Sequence, residues 1–132
     1  MGSFDDFRKT MDPPVTLWSA AKANDVAALE KLAAEPGVNL DAQDPRGFSP
    51  LMLAAYSGAA DAVAFLLSKG VHPDSRDSSG NTVLMGAAFK GDGGIMTQLI
   101  AAGADVKATN LGGQDARAFA EMSGRPEVLA LL

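Results

Sequence analysis

The chain has 132 residues, 47 % of them apolar, 6 % aromatic and none cysteine, which allows one modest core or one short stack of repeated elements and excludes disulfides, thiolate chemistry and cysteine–zinc sites. A formal net charge of −5 and a pI near 4.6 are the opposite of the basic stripe that neutralises phosphates, so neither nucleic acid nor an anionic membrane is expected as a partner. Much of the apolar fraction is alanine, which favours thin, closely approaching helical layers over a bulky aromatic core.

The first residues, MGSFDDFRKTMDPP, lack the apolar run of a secretory signal, and no apolar window reaches membrane-spanning length. A cytoplasmic location is expected. Met1-Gly2-Ser3 has the look of an expression-tag scar. Residues 1–13 form an N-terminal arm in which Phe4, Phe7 and Met11 fall on one face of a short helix, either docked over the first unit or free to hold a partner. Pro13-Pro14 ends any such helix.

From there the chain is a repeat. Leu51 recurs as Leu84, Gly58 as Gly91 and Gly70 as Gly103, each 33 residues on, the mark of one supersecondary unit stacked on copies of itself. The units run about 14–43, 44–76, 77–109 and 110–132, together a single domain over 14–132. The first, TLWSAAKANDVAALEKLAAEPGVNLDAQ, carries one extra residue at Glu35-Pro36, so that Leu17 aligns with Leu51 and Asn24 with Gly58. In each central unit Ser49 or Thr82 is placed to cap a first helix, because its side-chain oxygen can accept an unpaired amide of the first turn. Gly58 or Gly91 then ends that helix in a left-handed conformation. Second helices are expected over 60–68 and 94–101, the latter weakly started after Gly91-Asp92-Gly93-Gly94. Segments rich in Asp, Asn, Pro and Gly then make turns or short hairpins. The last unit keeps Asp115 at the cap place and Pro126 at the start of its second helix. It places Arg117 where its predecessors carry leucine, four residues from Glu121, as a final layer with nothing stacked on it requires.

Asp44-x-x-Gly47-x-Ser49-Pro50-Leu51-Met52-x-Ala54-Ala55-x-x-Gly58 and Asp77-x-x-Gly80-x-Thr82-Val83-Leu84-Met85-x-Ala87-Ala88-x-x-Gly91 resemble the ankyrin repeat. The resemblance covers residues 15 to 132 and implies an all-α solenoid of about four helix–turn–helix repeats joined by turns or short β-hairpins. One position departs from it: the family's histidine is Trp18, Met52, Met85 and Ala118 in successive units, which exchanges hydrogen bonding for apolar packing.

The resemblance also implies a non-catalytic module that binds a partner protein through a concave groove and turn tips, with no cofactor and no metal, and monomeric when free. The residues placed to do so are Arg46, Phe48, Tyr56, Ser57, Arg76, Asn81, Phe89, Lys90 and Met122. Among them, aromatics flanked by cations have the composition of interface hot spots, and local positive charge on an acidic protein predicts an acidic or mixed partner surface. Catalytic inventories are poor: His72 is the single histidine and sits beside Pro73 in a turn, and the turn carboxylates Asp41, Asp44, Asp74 and Asp77 lack calcium-loop spacing. Within the family, LMGAAFKG in the third unit resembles small bacterial ankyrin proteins that accompany and assist catalases. The competing reading is an inhibitor or immunity-type protein that blocks a partner enzyme.

Overall fold

The computed structural model describes residues 15–132; the expectations for the N-terminal arm, with Phe4, Phe7 and Met11, lie outside the described residues. Eight helices follow one another in four pairs: α1 (Leu17–Lys22) and α2 (Val26–Ala33), α3 (Pro50–Tyr56) and α4 (Ala60–Ser68), α5 (Val83–Lys90) and α6 (Gly93–Ala101), α7 (Ala116–Ser123) and α8 (Pro126–Leu129). First helices pack on first helices, α1 to α3 to α5 to α7, and second helices on second helices from α2 to α6. Among the described residues the segments between pairs form no named strand; one isolated antiparallel bridge, Arg76 to Thr82, stands where short hairpins were expected.

Each boundary has a local cause. Thr16, Ser49, Thr82 and Asp115 cap the four first helices by accepting the amide three residues on, and Asn24, Gly58, Gly91 and Gly124 follow them with φ between 57° and 72°. Asp92 caps α6, so that helix begins at Gly93 in spite of its glycines. Its counterpart in α4 is Ala59, which has no capping side chain. The missing acceptor comes from the preceding pair: Asn24 Oδ1 accepts the Ala62 amide at 2.8 Å. Asn24→Ala should therefore lose a cap, worth about 1 kcal/mol, and also hold in left-handed backbone a residue without the short polar side chain that lets asparagine tolerate it, at about 1 kcal/mol more. Asn24→Gly should lose only the first of these, and urea unfolding of the two variants separates the contributions.

The core is a column of leucine and alanine. Leu17, Leu51 and Leu84 are buried in successive layers, with Ala20-Ala21, Ala54-Ala55 and Ala87-Ala88 at or near zero exposure, which is how first helices approach closely. In the second layer Leu29, Val63 and Met96 continue the stack. At the end of the array Arg117 takes the leucine place, largely exposed, and reaches Glu121 at 3.8 Å. Met52 and Met85 are core filler, both essentially inaccessible.

At two of the four positions that the family gives to histidine a side-chain hydrogen bond survives, which corrects for those two the reading that packing had replaced it. Trp18 Nε1 donates to Phe48 O at 2.7 Å, tying the first pair to the turn of the second. The sulfur of Met85 accepts the Thr82 amide at 3.3 Å. Indole and thioether each keep one polar atom, and both atoms are used. The turn carboxylates stitch units together in the same way: Asp41 Oδ1 accepts the His72 amide and Asp74 Oδ1 the Asp105 amide, both at 2.8 Å.

Candidate functional site

Between the first helices and the turn tips lies an apolar groove of about 350 Å³, lined by Phe48, Tyr56, Asp77, Asn81, Met85, Gly86, Phe89, Lys90 and Phe119. Its aromatic walls follow from the period. Tyr56, Phe89 and Met122 occupy one register position in successive units, and Leu53, Gly86 and Phe119 occupy the position three residues earlier on the same helix face. The Tyr56 ring lies on Gly86 of the next unit, so closely that a Cβ built there would stand 1.6 Å from Tyr56 Cε1. One unit on, Phe89 meets Phe119 edge to face with centroids 6.3 Å apart. Phe48 meets Tyr56 in the same manner at 6.0 Å, a geometry that sets the positive edge of one ring against the negative face of the other.

Charge in the groove is sparse. Burial pushes the Tyr56 phenol well above its ordinary value, and the Asp77 carboxylate adds to the effect, so Tyr56 presents a neutral hydroxyl at any physiological pH. Asp77 Oδ1 accepts the amides of Ser79 and Asn81, each at 2.9 Å, and Asn81 Oδ1 accepts Nδ2 of Asn110 at 2.8 Å. At the rim, Arg46 Cζ stands 4.9 Å over the Phe48 ring while its Nη2 pairs with Asp44 at 3.1 Å. Partial desolvation works to raise the Asp44 carboxyl, but the amides of Phe48 and Arg46 and the Arg46 guanidinium outweigh it and hold it below the ordinary carboxylate range.

Of the nine residues singled out by sequence, five line this groove: Phe48, Tyr56, Asn81, Phe89 and Lys90. Ser57 lines an adjoining hollow with Lys90 and Arg125, and Arg46 covers Phe48 from outside. Met122 is 55 % exposed on the last unit and lines neither hollow. Arg76 also lies apart: its Nη1 donates to Gly80 O at 3.1 Å and Thr109 O at 2.7 Å, holding the turns of two units together. Gln43, its counterpart one unit earlier, does the same with the carbonyls of Gly47 and Arg76.

Sequence reasoning missed Gly86, Phe119 and Arg125. The first two were within reach, because the residue three positions before each expected contact shares its helix face, and the sequence of that position, leucine, glycine, phenylalanine, alternates small with large. Arg125 stands where Asp25 and Asp92 cap two of the other second helices. Its Nη1 reaches back to Gly91 O at 3.3 Å instead.

Comparison with protein families matches the family described as ankyrin repeats (3 copies) over residues 17–110, the span from α1 through the turn before α7. No curated protein matches the chain. Among the described residues no helix is long and apolar enough to cross a membrane. The family match takes in three full helix pairs, most of the chain and most of the groove, and the stacked α1, α3 and α5 with left-handed residues closing each turn are its structural counterpart: the chain belongs to the ankyrin-repeat family, whose members generally mediate protein–protein interaction.

Proposed function

We propose that this protein binds a partner protein in the aromatic groove between α3, α5 and α7, without catalysing a reaction of its own. The observation that carries the reading is the clustering of Phe48, Tyr56, Phe89 and Phe119 around one cavity, with Phe89 left 52 % exposed. Aromatic side chains with a dry flank and few rotamers are the residues that dominate binding energy at interfaces. The ionisable groups of the groove are Asp77, Lys90 and Tyr56. Asp77 is bonded to its own turn and Tyr56 is held neutral, which leaves no paired acid and base facing one another.

A finer reading is an accessory to a bacterial enzyme such as a catalase. It rests on the LMGAAFKG octapeptide, Leu84–Gly91, which supplies Met85, Gly86, Phe89 and Lys90 to the groove. An inhibitor or immunity-type protein would use the same surface and differ in effect: the partner enzyme would lose activity on mixing, where an accessory would preserve or raise it.

Affinity purification from source cells, with the native chain and Phe89→Ala as parallel baits, tests the surface. Phe89→Ala should weaken the recovered complex by about tenfold or more, equivalent to at least about 1.4 kcal/mol, while the far-ultraviolet circular dichroism stays native. Equal recovery by both baits would move the binding face elsewhere.

A further inference from the structure

The aromatic groove continues into a second, more open hollow of about 600 Å³ that shares Tyr56 and Lys90 with it and adds Asp92 and Arg125. This continuous depression holds two carboxylates and two cations, and they are engaged differently. Its two carboxylates are turned to the protein's own backbone: Asp77 Oδ1 accepts two turn amides, and Asp92 Oδ1 accepts the Ile95 amide at 3.1 Å as the cap of α6. Its two cations carry no ion pair among the described residues. Lys90 is exposed, and among the described residues the ion pairs are Arg46 with Asp44 and Arg117 with Glu121, so neither Lys90 nor Arg125 is paired. Arg125 is nonetheless held in place. One nitrogen donates to Gly91 O at 3.3 Å, and its Cδ lies so near Gly91 that an added Cβ would stand 2.7 Å away. Among the described residues the remaining guanidinium donors of Arg125 are uncommitted. An aromatic cavity therefore opens onto a rim of two unpaired cations, one of them held in place, on a chain whose net charge is −5.

We infer that the partner presents a protein segment in which a bulky apolar side chain is followed within about two residues by Asp or Glu, the first seated among Phe48, Tyr56, Phe89 and Phe119 and the carboxylate over Lys90 and Arg125. The spacing is that of an extended segment, whose side chains two residues apart share a face and lie about 6.6 Å apart, so a carboxylate two positions along enters the adjoining hollow, which shares Tyr56 and Lys90 with the groove. The apolar anchor supplies affinity. The cationic rim supplies selection, because a basic segment would meet two like charges there. This inference rests on the groove being the recognition face.

A random 12-residue peptide display library, panned against the immobilised full chain, tests it. Phe89→Ala, a Lys90→Glu/Arg125→Glu pair and a Lys90→Gln/Arg125→Gln pair are panned alongside, each checked for a native urea midpoint. The native chain should enrich sequences with an aromatic or large aliphatic residue followed by Asp or Glu. Phe89→Ala should lose that enrichment, the glutamate pair should return Lys or Arg in place of the acid, and the glutamine pair should keep the apolar residue and lose the acid preference. If the glutamate pair fails to fold, the glutamine pair decides. Apolar enrichment that disappears in Phe89→Ala but shows no acid preference in the native chain overturns this inference and leaves the groove as the binding face. Enrichment indifferent to Phe89→Ala, or none above the bare support, overturns both.

Discussion

Replacing Gly86 with alanine should destabilise the protein by about 1–2 kcal/mol, although glycine inside a helix is itself a defect. On an exposed helix the change would gain about 1 kcal/mol, because alanine restricts the unfolded backbone and shields the helix better. In α5 the new methyl group would fall 1.6 Å from Tyr56 Cε1, with Cδ1 and Cζ also under 3 Å, so the ring must leave. Forced repacking of this kind costs typically about 1–3 kcal/mol, and the displaced ring would also open the groove between Phe48 and Phe89. The sign should reverse once the obstacle is gone. In a Tyr56→Ala background Gly86→Ala should stabilise by about 0.5–1 kcal/mol, giving a coupling energy of roughly 2 kcal/mol between residues in different units. Urea unfolding of the four proteins measures it, and additive effects would mean that the ring and the glycine are not nested.

Leu84→Ala should have the larger effect, a loss of about 2–5 kcal/mol. Leu84 has no exposed surface and sits in the middle of the leucine column, between Leu51 and the final layer. The cavity left behind has packed helices on both sides and little freedom to collapse. Against a total stability of about 5–15 kcal/mol for a natural domain, that is enough to bring the array near unfolding. Arg117→Ala, at the same register one layer on, should change stability by less than about 0.5 kcal/mol, since its side chain is 59 % exposed and its ion pair with Glu121 lies in solvent. The chain also carries its own reporter. Its single tryptophan, Trp18, is in the first layer, so in Leu84→Ala the Trp18 fluorescence transition should separate from the far-ultraviolet circular dichroism transition as coupling between layers weakens. Coincident transitions with an unchanged midpoint would contradict the column.

Much of the fold was legible because it is written in backbone terms. A cap such as Ser49 or Thr82, a left-handed residue such as Gly58 or Asn24 and a proline at the start of α8 act on their own helix ends, so residue type and spacing suffice to place them. The Arg117–Glu121 pair was legible for the same reason, being four residues apart on one helix. The groove was half legible. Phe48, Tyr56 and Phe89 announced themselves by size, whereas Gly86 matters because it has no side chain, and that shows only when the ring of Tyr56 is found resting on it. Arg76 and Arg125 look alike in sequence as free cations. One is folded onto the carbonyls of Gly80 and Thr109, and the other lies across Gly91 at the edge of the groove. Which carbonyl a long side chain finds depends on a neighbour some 33 residues away and on the rotamer that reaches it, and neither is local information.

The borrowed cap on α4 sets a limit on modular engineering. Asn24 serves a helix that belongs to its successor, as Trp18 and Asp41 serve the turns that come after them. Excising the first pair, or transplanting the second into another scaffold, would leave the Ala62 and His72 amides without their acceptors and the Phe48 carbonyl with the Asp44 amide as its remaining donor. The layers are therefore not interchangeable bricks, and a graft that respects the visible period would still cut through the joints unless each piece carried the polar residues of the one before it.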